Sequence, residues 1–390
     1  MKIKVCDIKE TPQNMPFNLC VFGEPNEMLV KWIKYWTLKT EKSGNFTNIL
    51  IPEDFDLSEM FDTTSYFKYM DGFSPNLNKH LHVGHLSNLV IASAFYNLGV
   101  TEETIAIMGD TLSGDVSEEE AMEAYNKYCK MFNYKAGQIF YASKMDYEGD
   151  VLNMGSGDYE GTLVFNVDDE LIVGVKNDGS TTYFYQDMAL ANKLNAPTLY
   201  LTGFEQENHF RLLKKANPTV FHIGLGLVMI DGEKMSSREG NVIYAQELID
   251  KLLNEFNDEK LVANVIIGQI LKSKPDSIKN IETDGIFDPK KSQGLYLSYT
   301  MARLKSAGLK VNSLNKFTNK RLEFAYIKSK DSLSPNTLFQ ALVELAKLIN
   351  VLYNKHTIKD NEENQLLFQP LLDNLVYGMK QLGMNEIDKV

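Results

Sequence analysis

From Ser74 to about Ile243 the chain alternates short apolar runs with longer amphipathic stretches, and that alternation restricts it to an open α/β sheet. "HLSNLVIASAFYNLG" reads as a helix stopped at Gly99, and "TIAIMGD", an apolar run ending in Gly-Asp, as a buried parallel strand. "SEEEAMEAYNKYCKMF" is a helix with Ser117 as N-cap and acids in its first turn, where the helix dipole favours them. "GTLVFNV", "ELIVGVK" and "TTYFY" read as strands, with Asn177 to Gly179 as a hairpin turn. "PTLYLTG", "EQENHFRLLKKA" and "TVFHIGLGLVMI" then repeat strand, helix and strand. A ligand site in such a sheet belongs beyond the carboxyl ends of its strands.

The flanks differ in kind. Residues 1–70 are mixed, with strand-like runs such as "FTNILIPEDF". After Ala245 long helical patterns take over, among them "AQELIDKLLNEFN" and "SPNTLFQALVELAKLINVLYNKH", with the lysine-rich "KSAGLKVNSLNKFTNKR" between them. The expected division is therefore 1–70, an N-terminal segment of unassigned role packed on the α/β domain; 71–244, that α/β domain; and 245–390, an all-α domain. A chain of 390 residues is long enough for separate cores. Its net charge of −12 excludes indiscriminate coating of nucleic acid but leaves room for a local basic face. Three scattered cysteines, no apolar run of the ~18 residues a membrane span needs and no leader-like N-terminus make the cytoplasm the expected compartment.

Three of the six histidines fall in one short stretch, "SPNLNKHLHVGHLSN", at His80, His82 and His85. Pro75 biases Ser74 out of the helical region, and a helix begins near Gly84. A helix N-terminus offers unsatisfied N–H groups and partial positive charge, which attract phosphate. His82 and His85, three apart, can point the same way from it. Gly84 leaves room for a base or ribose against the backbone, and Lys79 adds a point charge. The same spacing fits a metal pair or plain surface histidines, yet no third ligand stands nearby: His209 is distant and Cys6, Cys20 and Cys129 are scattered. A second charged, hydroxyl-rich stretch, "GEKMSSREGNVI", follows the apolar "GLVMI" and suits a loop that closes a cation over a departing pyrophosphate.

With this second motif in place, the sequence resembles the class I aminoacyl-tRNA synthetases, and among them the arginyl-tRNA synthetases. HVGH is similar to the family's HIGH motif, and Lys234 to Ser237 to its KMSKS loop. "DGSTTYFYQDMA", "GFEQENHF" and "GLYLSYTMARL" resemble three further arginyl segments in the expected order, and the C-terminal helices resemble the anticodon-binding domain. The resemblance implies a Rossmann-like catalytic domain with a parallel sheet, followed by a helical anticodon-binding-type domain. It implies ATP-dependent activation of arginine and transfer to tRNA. ATP with its Mg2+, arginine and tRNA are then the partners, with no structural metal in the protein, no membrane, and a monomeric chain.

Carried over position by position, Lys79, His82, His85 and Lys234 stabilise the reacting phosphates. Gly84, Gly203, Glu205, Met235, Ser236 and Ser237 line the ATP site. Asn76, Tyr183, Asp187 and Gln206 hold the amino acid, Asp187 accepting a guanidinium in two hydrogen bonds. Tyr296, Tyr299 and Arg303 face tRNA. The chain departs from the family at Ser87, Gln186 and Ser237, and retains only Asp110 of a D-W-G segment; the family's second guanidinium-holding acid is expected at Asp146 or Glu148. Two other readings stay open: a paralogue that adenylates arginine or another amino acid for a different acceptor or biosynthetic pathway, and a non-catalytic nucleotide or tRNA binder, against which both histidines and Lys234 speak.

Overall fold

The computed structural model describes residues 8–12, 18–52, 54–110, 116–142, 156–159, 162–167, 169–234, 243–283 and 285–390. Near the N-terminus β1 (Lys9–Glu10), β2 (Leu19–Phe22), β3 (Lys39–Ser43) and β4 (Phe46–Leu50) pair antiparallel in the order β1-β2-β4-β3. Between β2 and β3, helix α1 (Glu27–Tyr35) starts where Asn26 Oδ1 accepts from Leu29 N, and it buries Leu29, Trp32 and Ile33, one helical face. A short helix, α2 (Leu57–Met60), closes the unit. Its apolar core continues into Phe324 and Ile327, far along the chain.

The alternation that follows forms two strand–helix–strand series. The first is β5 (Phe67–Asp71), α3 (Val83–Asn97), β6 (Thr101–Met108), α4 (Glu118–Met131) and β7 (Gln138–Tyr141). An antiparallel excursion, β8 (Ser156–Tyr159), β9 (Thr162–Val167) and β10 (Glu170–Val175), leads to the second: α5 (Tyr183–Leu194), β11 (Thr198–Gly203), α6 (Glu207–Ala216) and β12 (Val220–Leu225). The main strands join in one parallel sheet ordered β12-β11-β5-β6-β7. The order reverses between β5 and β11, where an α/β sheet opens a crevice at its carboxyl edge.

Helix α3 is apolar on nearly every side because it is enclosed: the sheet lies beneath it and later helices lie over it, and residues Leu89 to Phe95 are all buried. Ser117 caps α4 as its sequence predicts, accepting from Glu120 N at 3.2 Å. The strand expected at "TTYFY" is instead the start of α5: Thr182 caps the helix, and Phe184 and Tyr185 turn into the core beside Phe165. Tertiary packing here overrides the strand preference of aromatic and β-branched residues.

Beyond β12 the chain makes β13 (Val228–Ile230) and β14 (Glu233–Lys234), then α7 (Ala245–Phe256) and α8 (Glu259–Leu271), before β15 (Lys279–Ile281) returns to pair with β13. Helices α9 (Gln293–Ser306), α10 (Lys320–Asp331), α11 (Asn336–Tyr353) and α12 (Glu362–Gln381) complete the helical region. One continuous apolar core runs from Phe67 to Ile387, so α7 and α8 seat directly on α3 with no gap at 244/245. No described helix is long and apolar enough to cross a membrane.

The lysine-rich stretch before α10 serves this architecture. Arg321 donates to the backbone oxygens of Thr11 (2.6 Å) and Pro12 (2.9 Å), Lys316 pairs with Asp56 at 2.9 Å, and Lys320 and Lys330 reach the carbonyls of Phe55 and Thr63. These cations fasten the N-terminal unit to the helical region. Arg321→Ala is expected to cost about 1–3 kcal/mol at this seam and to speed amide hydrogen exchange in β2 and β4 while sparing β5 and β11; unchanged exchange there would contradict the assignment.

Candidate active site

At the reversal of strand order, Asp71 ends β5 and lies in register with Tyr200 of β11, three residues before Gly203 ends that strand. A cavity of about 430 Å³ opens above them, bounded by His82, Gly84 and His85 on one side and by Gly203 and Gly226 on the other. A second hollow of about 550 Å³, reaching Tyr183, Asp187 and His209, shares the wall formed by Asp71, Ser74, Asn76, Thr202, Glu205 and Gln206. The two form one cleft with two arms.

In the first arm the histidines cap α3 reciprocally. Gly84 N donates to His82 Nδ1 and His82 N donates to His85 Nδ1, each at 3.1 Å, and the rings stack with centroids 3.9 Å apart. Because each Nδ1 accepts a backbone proton, the neutral rings carry their hydrogens on Nε2. Burial lowers the His82 pKa, and burial with the neighbouring His82 takes His85 down to about 3. Near neutral pH both are hydrogen-bond donors without charge.

The helix terminus does not present open N–H groups as the sequence led one to expect. Val83 N donates to Ile243 O, Gly84 N to His82 Nδ1, and His85 N and Leu86 N to His82 O. Gly84 has a different use too: a Cβ there would lie 2.8 Å from the His82 ring, so the glycine admits the imidazole that caps the helix.

The second arm is acidic. Asp71 is only 6% exposed and receives a hydrogen bond from the Ser74 hydroxyl, which in turn accepts from Ile107 N at 2.8 Å. Burial raises the Asp71 carboxyl to about 7; the Ser74 hydrogen bond opposes that rise and the charge of Asp187 adds to it. Asp187 Oδ2 lies 2.7 Å from His209 Nε2. Beside them, Thr202 Oγ1 is 2.9 Å from His222 Nε2, whose ring stacks on Phe210; burial first and His209 second lower the His222 pKa to about 4. Among the described residues no lysine or arginine lines either arm.

Of the residues predicted from sequence, Asn76, His82, Gly84, His85, Tyr183, Asp187, Gly203, Glu205 and Gln206 all border this cleft. At Gly203 a Cβ would stand 2.2 Å from Glu205 Oε1, so a side chain there would displace that carboxylate. Lys79 borders a neighbouring hollow of about 390 Å³ with His80 and Tyr244. Met235, Ser236, Ser237, Asp146 and Glu148 lie outside the described residues, as does the side chain of Lys234. The ends of that loop are nevertheless fixed: Lys234 is in register with Met229, next to the cavity-lining Val228, and Ile243 and Ala245 bond to the backbone on either side of His82. Tyr296, Tyr299 and Arg303 border neither arm. Arg303 lies over the Tyr353 ring, 3.8 Å from its centroid, and donates to Asn350 and Asn354, on a face shared by α9 and α11.

Asp71 is the cleft residue that sequence reasoning missed. Its signal was an acid ending a buried strand just before the histidine motif, and it gains meaning only once β11 is known to be the neighbour.

No family model matches the chain. It is 27% identical over 307 residues to an arginine–tRNA ligase of Clostridium perfringens, covering 65% of this chain and 54% of that one. Against an arginine–tRNA ligase of Clostridium botulinum the identity is 26% over 338 residues, covering 71% and 59%. The fold is that of Thermus thermophilus arginyl-tRNA synthetase, with a TM-score of 0.69 at 16% identity over 98% of this chain and 96% of that one. In sequence and in fold the chain is similar to arginyl-tRNA synthetases. It spans just over half the length of the curated relatives it matches.

The buried acid of the cleft has a consequence for stability. Asp71 is raised from its ordinary value of 3.8 to about 7 in the folded chain, so the stability linked to its proton is present below pH 4 and lost as pH rises through 7. Asp71→Asn is expected to exceed the parent chain in stability at pH 8 by roughly 2–4 kcal/mol and to lose that advantage below pH 4, as read from urea unfolding at both pH values.

Proposed function

We propose that the protein is an arginine–tRNA ligase. The observation that carries this reading is the two-armed cleft: a histidine-lined arm meets, across one shared wall, an arm bearing Asp71, Asp187 and Glu205 with no lysine or arginine among the described lining residues. An acidic hollow beside Tyr183 favours a cationic side chain over an apolar one, and planar guanidinium suits paired carboxylates.

In this reading Asn76 and Gln206, on the shared wall, hold the amino-acid head group, while Tyr183, Asp187 and Asp71 hold the guanidinium. A carboxylate oxygen of arginine attacks the α-phosphorus of MgATP; the mixed anhydride forms as the bond to pyrophosphate breaks. His82 and His85 donate from Nε2 to the phosphate oxygens, and Gly84, Gly203 and Glu205 shape the nucleotide arm. The loop of Lys234, Met235, Ser236 and Ser237 closes over the departing pyrophosphate, and Lys79 adds charge from the adjoining hollow. A terminal hydroxyl of tRNA then attacks the arginyl carbonyl and AMP leaves. Residues 71–244 carry this chemistry, and the α9 face of Tyr296, Tyr299 and Arg303 meets tRNA.

Because the histidines are neutral and held by the helix they cap, their contribution grows with the charge that develops in the transition state. His85→Ala and Lys234→Ala are expected to slow adenylate formation by about 10²–10³ while altering arginine affinity little, which single-turnover kinetics separates from binding. The decisive assay is ATP–pyrophosphate exchange with each of the twenty amino acids, in the presence of total tRNA, followed by tRNA charging. Exchange that responds to another amino acid, or an aminoacyl group that never reaches tRNA, would overturn the reading.

A further inference from the structure

The acidic arm holds two carboxyls that differ in what faces them. Asp187, at the start of α5, already has a partner in His209 of α6. Asp71, at the end of β5, has among the described residues one hydrogen-bond donor, Ser74, and no described lysine or arginine lines the hollow around it. From β11 it is faced by Tyr200, whose buried hydroxyl has no hydrogen-bond partner among the described residues and borders the same hollow. Tyr125 on α4 and Tyr134 beyond it approach from another side, and their phenols stay neutral, pushed up by burial. Across the cleft stand the uncharged His82 and His85 of α3 and the acid Glu205.

We propose that arginine uptake is coupled to release of a proton from Asp71, so that this carboxyl, and not Asp187, makes the affinity of the site depend on pH. The inference rests on arginine being the substrate, as argued above. Without a guanidinium in place, Asp71 is buried beside a second carboxyl with no cation among the described lining residues, which favours the protonated form. A guanidinium entering between Asp71 and Asp187 reverses that balance: it stabilises the carboxylate, donates to it, and gives the Tyr200 hydroxyl a partner. The proton leaves to solvent, and the pocket exchanges one neutral acid for an ion pair.

The sign follows from the raised carboxyl of the empty site, at about 7. Above that pH Asp71 is already ionised and arginine affinity is flat; below it, affinity falls by about tenfold per pH unit as the proton must first be displaced. Isothermal titration of arginine into the full chain, at pH 6 and pH 7 in phosphate and in a buffer of larger ionisation heat, reads the proton directly. The expected release is about 0.9 proton per arginine at pH 6 and about half at pH 7.

Asp71→Asn is expected to bind without release, and His209→Gln to keep it. Ser74→Ala removes the donor that favours the ionised carboxyl, so the pH midpoint of arginine affinity moves upward; this variant decides the matter if Asp71→Asn does not fold. Arginine binding with equal heats in both buffers, or release that survives Asp71→Asn or vanishes in His209→Gln, would overturn the coupling while leaving arginine as substrate. Lysine and agmatine are titrated alongside. Saturable binding of either with arginine inert overturns arginine as substrate, and its buffer dependence then decides the coupling by the same criterion. No heat with any of the three overturns both.

Discussion

On either side of His82 the backbone is tied to the end of a distant loop: Val83 N donates to Ile243 O at 3.2 Å, and Ala245 N donates to Leu81 O at 2.8 Å. The resulting antiparallel bridge, His82 to Tyr244, joins the start of α3 to the start of α7. It fixes the entrance angle of the central helix, on which the sheet packs from one side and α7 and α8 from the other. It also sets Ile243 and Tyr244 against the backbone of the histidine motif, far earlier in the sequence. Without it α3 would keep its apolar environment, but the capping histidines would lose the frame that aims them.

The electrostatics of the cleft follow from burial more than from charge count. The histidines are neutral because the protein removes them from water and engages each Nδ1 as an acceptor. Asp71 shares the same dry environment and responds in the opposite direction, since for a carboxyl the charged form is the one disfavoured. On the far wall, Lys279 is wholly buried and donates to the carbonyls of Lys274, Pro275 and Ser277, which pins the turn that Gly226 touches at the cavity edge. A single ammonium thus replaces the solvent that three carbonyls of that turn would otherwise need.

Much of the site was legible in the sequence where residues act locally. The HVGH stretch declares its own helix start and Ser117 its cap, because residues three apart at a helix start meet by geometry alone. Legibility failed where the environment was decided elsewhere. "TTYFY" has a strand's composition and became a capped helix because Phe165 waits beside it. Helix α8 is apolar all round and shows no face, since it is enclosed on all sides. The lysine-rich stretch that runs into α10 reads as a run of charge, yet Lys320 and Arg321 at its end, with Lys330 later in the helix, bind backbone carbonyls of the N-terminal unit.

What the sequence determined by itself is the alternation of strand and helix, the helical C-terminal region and the chemistry of its motifs, all of which rest on periods and caps spanning a few residues. What only the tertiary structure decided is which groups meet: Asp71 with Asp187 in one hollow, the backbone of the histidine motif with Ile243 and Ala245, and the absence of any described lysine or arginine from the lining. The physical reason is that strand order, β11 beside β5, is a choice among long-range pairings. A local pattern can require a parallel neighbour, but the packing of the whole sheet selects which one.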